Sequence, residues 1–127
     1  MNELLLFGIN EEEIKEINEK SNVLKEVTDK EIKDRINLLR EINCEDKIIK
    51  NIIISNPDYL NRSVDDILKL IKKLLELNIE RIDITFDGNP WLLNKDDFEI
   101  DEFIKDKKES GMDYEDILDL IDSGMVD

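Results

Sequence analysis

Isoleucine and leucine recur along this chain in helical stripes separated by abrupt polar breaks. Behind Thr28, the residues Ile32, Ile36 and Leu39 fall three or four apart, and behind Ser63 so do Ile67, Leu70, Ile71 and Leu74. Phe98, Phe103 and Ile104 form a third, less regular stripe behind Asn94. Apolar positions at this spacing occupy one face of an α-helix, whereas a half-buried strand alternates. The polar residues ahead of the stripes are helix starts. Thr28 with Glu31 puts a hydroxyl at the cap and a glutamate three residues on, the full pattern of a capping box, and Asn10-Glu-Glu-Glu13 starts a helix likewise. Ser63 with Asp66, Asn94 with Asp97 and Asp113 with Asp116 are shorter-armed versions. The pattern predicts helices over approximately 10–20, 28–41, 45–55, 63–76, 80–88, 95–108 and 113–122.

Slid against itself, the chain repeats. A Gly/Asn mark recurs at Gly8, Asn43, Asn78 and Gly111, at intervals of 35, 35 and 33 residues. Each is followed by an apolar residue (Ile9, Cys44, Ile79, Met112) and, five positions further, by Ile14, Ile49, Ile84 or Ile117. A breaker comes next, at Ser21-Asn22, Asn56-Pro57, Asn89-Pro90 and Ser123-Gly124, and Leu24, Leu60 and Leu93 close the three full breaks. Glycine and asparagine tolerate the left-handed conformation at a helix C-terminus. Each repeat therefore reads as a short helix, a turn at Asn-Pro, a longer capped helix and a Gly/Asn stop. One such pair of helices cannot bury both apolar faces alone and must stack on its neighbours. The expectation is an all-α, right-handed-type helical-repeat solenoid in a single domain, 1–127. Its units would be approximately 5–42, 43–77 and 78–110, with a half unit at 111–127.

The repeat resembles that of the mitochondrial transcription termination factors. The stretches that carry the resemblance are Leu39 to Leu74, containing Ser55-Asn56-Pro57-Asp58-Tyr59-Leu60, and Leu74 to Leu93, containing Asn89-Pro90-Trp91-Leu92-Leu93. It extends over roughly residues 5 to 122, with Ser21-Asn22-Val23-Leu24 standing where the first unit lacks the proline. The resemblance implies stacked units of two antiparallel α-helices and a short 3₁₀ turn, forming a curved solenoid. It also implies an organellar setting and binding of double-stranded DNA or RNA through a basic concave groove. No individual nucleic-acid contact follows from the motif.

Charge changes that picture. The 127 residues contain 33 acidic and 18 basic side chains, a formal net charge of −15, which opposes the approach of phosphate. The imbalance is local: residues 30–82 hold 11 basic and 10 acidic side chains, while residues 83–127 hold 4 and 15. There is no histidine and one cysteine, Cys44, so imidazole chemistry, a Cys/His zinc site and an intrachain disulfide are excluded. No apolar run approaches the length of a membrane span, and the first residues lack the basic region of a signal peptide and the arginines of a transit peptide. A cytoplasmic setting is the expectation.

Candidate chemistry is correspondingly sparse. Lys47, Lys50, Arg62, Lys69, Lys72 and Lys73, together with Arg35 and others in the middle third, form either a phosphate-binding strip or solvated helix surface. Asp113, Glu115, Asp116, Asp119 and Asp122 either engage a basic partner, imitate a nucleic-acid backbone or make up an ordinary outer face. Tyr59 and Trp91, in equivalent turns, are either packing residues or aromatic anchors for a partner. Asp83 to Asn89 superficially echoes a calcium loop but fits the end of a helix entering its turn, Cys44 fits a small buried hydrophobe, and Asp65-Asp66 and Asp96-Asp97 fit first-turn acids. The expected function is a non-enzymatic interaction module for a basic protein or peptide, without cofactor, metal or catalytic residue. The alternatives are a small nucleic-acid-binding protein or an acidic nucleic-acid mimic, and the oligomeric state stays open.

Overall fold

A computed structural model describes residues 2–126 of the chain, and the regular elements among them are all helices. Its α-helices are α1 (Asn2–Phe7), α2 (Glu11–Lys20), α3 (Asp29–Glu41), α4 (Asp46–Ser55), α5 (Val64–Glu76), α6 (Ile82–Gly88), α7 (Asp97–Glu109) and α8 (Tyr114–Asp122). Three 3₁₀ turns, Val23–Lys25, Pro57–Asn61 and Pro90–Asn94, occupy the breaks between short and long helices. Helices α2 to α8 fall on the seven predicted from periodicity; α1 is additional.

The Gly/Asn stops are where the repeat is most uniform. Gly8, Asn43, Asn78 and Gly111 have φ of 111°, 69°, 64° and 93°. In each case the next residue donates its N–H to the carbonyl five residues back: Ile9 to Leu4 at 2.9 Å, Cys44 to Leu39 at 3.0 Å, Ile79 to Leu74 at 3.1 Å and Met112 to Lys107 at 3.0 Å. This is the Schellman closure, which satisfies carbonyls left over at a helix end. In the first three cases both residues of the bonded pair are also buried. Cys44 is therefore a core residue at a helix stop. Capping boxes at Asn10/Glu13 and Thr28/Glu31 close the other ends of α2 and α3, and Ser63 accepts from the Asp66 N–H at α5.

Three details depart from the sequence reading. Helix α7 is capped by Asp96, boxed with Glu99, because Asn94 is still the last residue of the preceding 3₁₀ turn. Phe98 stands two, five and six residues before Ile100, Phe103 and Ile104, so on the helix it points away from all three, and it is 55% exposed. Helix α6 begins only at Ile82, Arg81 being non-helical with φ −114° and ψ 70°, and Ile82, Thr85 and Phe86 turn inward while Ile84 is exposed.

The chain divides into two compact bodies, Met1–Arg62 and Ser63–Asp127, a boundary that falls inside the second predicted repeat. In the N-terminal body α1 packs on α3, α2 on α4, and the turn at Val23–Lys25 on that at Pro57–Asn61. Within the C-terminal body α5 packs on α7 and α6 on α8, with the Pro90–Asn94 turn against α5 and α6. Like elements of successive repeats thus lie side by side in each body, which supplies the burial a lone repeat lacks. Polar side chains tie the neighbours together. Lys20 Nζ donates to the Ile54 carbonyl at 3.0 Å and Asn61 Nδ2 to Glu26 at 3.2 Å. In the C-terminal body, Thr85 Oγ1 donates to the Asp122 carbonyl at 2.8 Å and Asn89 Nδ2 to that of Gly124.

Candidate functional site

The structure separates the sequence-derived candidates sharply. Tyr59 is fully buried, its hydroxyl donates to the Arg35 carbonyl at 2.8 Å, and burial pushes its pKa far up. As a packing residue of the N-terminal body it is not available as an anchor. Trp91 is 57% exposed, and its backbone N–H donates to Asn89 Oδ1 at 3.2 Å.

Much of the basic strip is occupied within the fold. Arg35 is buried and donates from Nε to the Arg62 carbonyl at 3.0 Å, so it belongs to no surface strip. Lys50 pairs with Glu13 at 3.1 Å and Lys73 with Asp101 at 2.9 Å, the latter contact raising the lysine's pKa. Arg40 pairs with Asp46, and Arg62 is half-buried at the end of its 3₁₀ turn. Lys47, Lys69 and Lys72 stand exposed, the first in the N-terminal body and the other two on α5.

The acidic candidates gather on one helix. Asp113 is the N-terminal cap of α8, Glu115 and Asp116 lie in its first turn, Asp119 and Asp122 toward its end, and all five are exposed while Ile117 and Ile121 are buried. Acids in a first turn suit the helix dipole; acids in a last turn oppose it. Helix α8 contains no lysine or arginine to offset them. Beside it runs a groove of about 350 Å³, walled by Leu77, Ile79 and Leu118 and bordered by Glu80, Asp119 and Asp122. Its one cation, Arg81, makes two hydrogen bonds to the buried Asp83, at 3.1 and 3.0 Å, and holds that carboxyl below the usual carboxylate range. Asp83 is thus a structural acid at the start of α6, and the calcium-like spacing from Asp83 to Asn89 is that helix entering its turn.

Sequence reasoning missed Glu80, Leu118 and the Arg81–Asp83 pair. The available signal was the i, i+3, i+4, i+7 spacing of Glu115, Leu118, Asp119 and Asp122, which puts one apolar residue among three acids on a single face.

Paired helices in register, with Schellman stops and 3₁₀ breaks, define an all-α helical-repeat protein. The sequence model of the mTERF family matches residues 2–123, and the chain belongs to that family. No curated protein and no solved structure matches it.

Proposed function

We propose that this chain is a non-enzymatic helical-repeat module that binds a basic segment of a protein partner, with α8 as the contact helix. The observation that carries the reading is the placement of Asp119 and Asp122 toward the C-terminal end of α8, against the dipole and with no cation on the helix. Such residues cost the free protein a little stability, and an incoming cation relieves that cost. The electrostatic match would serve encounter rate and choice of partner more than raw affinity. Trp91, exposed in the same body, adds an aromatic surface of the kind that anchors interfaces.

Membership of the mTERF family favours a second reading, binding of duplex DNA or RNA, with Lys47, Lys69 and Lys72 as the exposed cations. Against it stand the pairing of Lys50, Lys73 and Arg40 with the chain's own carboxylates and the net charge of −15. Fluorescence anisotropy with a labelled lysine-rich peptide and with labelled mixed-sequence duplexes, each titrated with salt, separates the two. The peptide should bind at low salt, and more weakly to Asp119→Asn/Asp122→Asn. Micromolar binding of a duplex with a steep salt slope, and none of the peptide, would replace the first reading by the second.

A further inference from the structure

The two bodies treat the space between neighbouring short helices differently. In the N-terminal body α2 and α4 are bridged by a cation, Lys50 of α4 meeting Glu13 of α2 at 3.1 Å. Counted from the left-handed stops at Gly8 and Asn43, Glu13 is the fifth residue of its repeat and Lys50 the seventh. Counted from Asn78 and Gly111, the corresponding residues of the C-terminal body are Asp83 of α6 and Leu118 of α8. The acid is retained and the lysine is gone.

Asp83 takes its cation instead from Arg81 in its own loop. That pairing satisfies Asp83, which does not line the neighbouring groove. This groove, of about 350 Å³, lies between Leu77–Arg81 and α8, and in it Glu80, Asp119 and Asp122 have no ion-pair partner within 4 Å among the described residues. Leu77 and Leu118, both half-buried, give it apolar walls. Position 118, on the wall of the groove, thus carries an apolar side chain where the same register position of the N-terminal body carries the cation Lys50.

We infer that this groove receives a lysine or arginine side chain from an extended segment of a partner protein, with an apolar neighbour of that cation resting on Leu77 and Leu118. The inference rests on the proposed function and deepens it. It names the subsite and the partner's chemistry, a basic residue beside an apolar one. A cation entering here meets three carboxylates without ion-pair partners along one open groove, where charge complementarity guides encounter and choice of partner. Arg81 does not compete for the visitor's place, because its fork is already directed at Asp83.

The test uses the full chain and a fluorescein-labelled peptide containing Lys-Leu-Arg within a Gly/Ser context, followed by anisotropy. Leu118→Lys restores the internal lysine of the other body and should weaken peptide binding about tenfold or more while leaving the circular dichroism helical. Glu80→Gln/Asp119→Asn should do the same. Asp97→Asn/Asp106→Asn, an equal change of charge on α7, should shift it by less than about threefold. Equal losses in the groove and α7 variants would overturn the groove while leaving a basic partner standing. No peptide binding by the wild-type chain, at low salt and high peptide concentration, would overturn both. Displacement of the peptide by equimolar spermidine, with Leu118→Ala without effect, would make the site a general polycation trap and overturn the apolar-plus-basic assignment.

Discussion

Tyr59 and Trp91 follow the proline of equivalent turns, one position apart, and that single position decides which of them is buried. A 3₁₀ turn has three residues per revolution, so one step rotates a side chain by about 120°. The second residue after proline faces inward in both turns, as Tyr59 in one and Leu92 in the other; the first faces out, as Asp58 and Trp91. Tyr59→Phe removes the bond to the Arg35 carbonyl and should cost about 1 kcal/mol in urea denaturation, while Trp91→Ala should stay within about 0.5 kcal/mol. A Trp91→Ala loss as large as that of Tyr59→Phe would mean that the tryptophan is a packing residue after all. Asp83 carries the pH dependence at this scale. Arg81 depresses its carboxyl in the folded state, so the folded chain binds fewer protons there than the unfolded one. Its contribution is complete above the unfolded carboxylate pKa of about 4 and declines as pH falls through the lower folded value. Asp83→Asn should cost about 1 kcal/mol at pH 7, and its melting temperature should converge on that of the wild type between about pH 4 and pH 2. A difference that persists unchanged at pH 2 would place the role of Asp83 elsewhere.

At the scale of elements, the stops and the starts divide the work of defining a helix, and the stops test cleanly. A β-carbon on Gly111 would meet nothing within 4 Å, so Gly111→Ala pays only for its positive φ, about 1 kcal/mol. At Gly124, φ is 78° and a β-carbon would lie 2.7 Å from Asn89 Cβ and 3.1 Å from the Thr85 carbonyl, where the chain docks on α6. Gly124→Ala should therefore exceed Gly111→Ala by at least about 1 kcal/mol, and Asn43→Gly should be close to neutral, all read from urea midpoints. Those stops were legible in the sequence because a left-handed residue is a local requirement, met by two residue types at a fixed interval. Capping boxes were legible for the same reason. Ile84 was misplaced because α6 starts one residue later after its stop than α2 and α4 do after theirs, which turns its face relative to the repeat register, with the non-helical Arg81 setting that start. Phe98 was misplaced because it stands five and six residues before Phe103 and Ile104, a spacing that puts it on the far side of the helix wherever the helix begins. The acids of α8 were legible as a helix face. The groove was not, because Leu77–Arg81 and α8 are brought together only by the packing of α6 on α8.

For the molecule as a whole the governing quantity is uncompensated charge. The N-terminal body holds 10 basic and 14 acidic residues and the C-terminal body 8 and 19, giving nets of −4 and −11. Salt acts on this in two opposed ways. It screens the mutual repulsion of the excess carboxylates, which stabilises the fold, and it screens the ion pairs, which destabilises it. The pairs are weak contributors, since almost every one has a partner more than a third exposed, and exposed pairs contribute about 0–1 kcal/mol each. The repulsion is not weak, because the excess lies within one body of about 65 residues, a span comparable to the Debye length of about 30 Å in dilute salt and well beyond the roughly 8 Å at 0.15 M. Repulsion should therefore dominate, and the melting temperature should rise by several degrees between about 0.01 and 0.15 M sodium chloride. Leu118→Lys, which adds a cation among Glu80, Asp119 and Asp122, should raise the low-salt melting temperature and flatten the salt dependence. A melting temperature that falls with salt would mean that the ion pairs carry the fold. A salt dependence unchanged by Leu118→Lys would mean that the groove acids are too well solvated to feel a neighbouring charge, and the same solvation would deny them a hold on a partner's lysine.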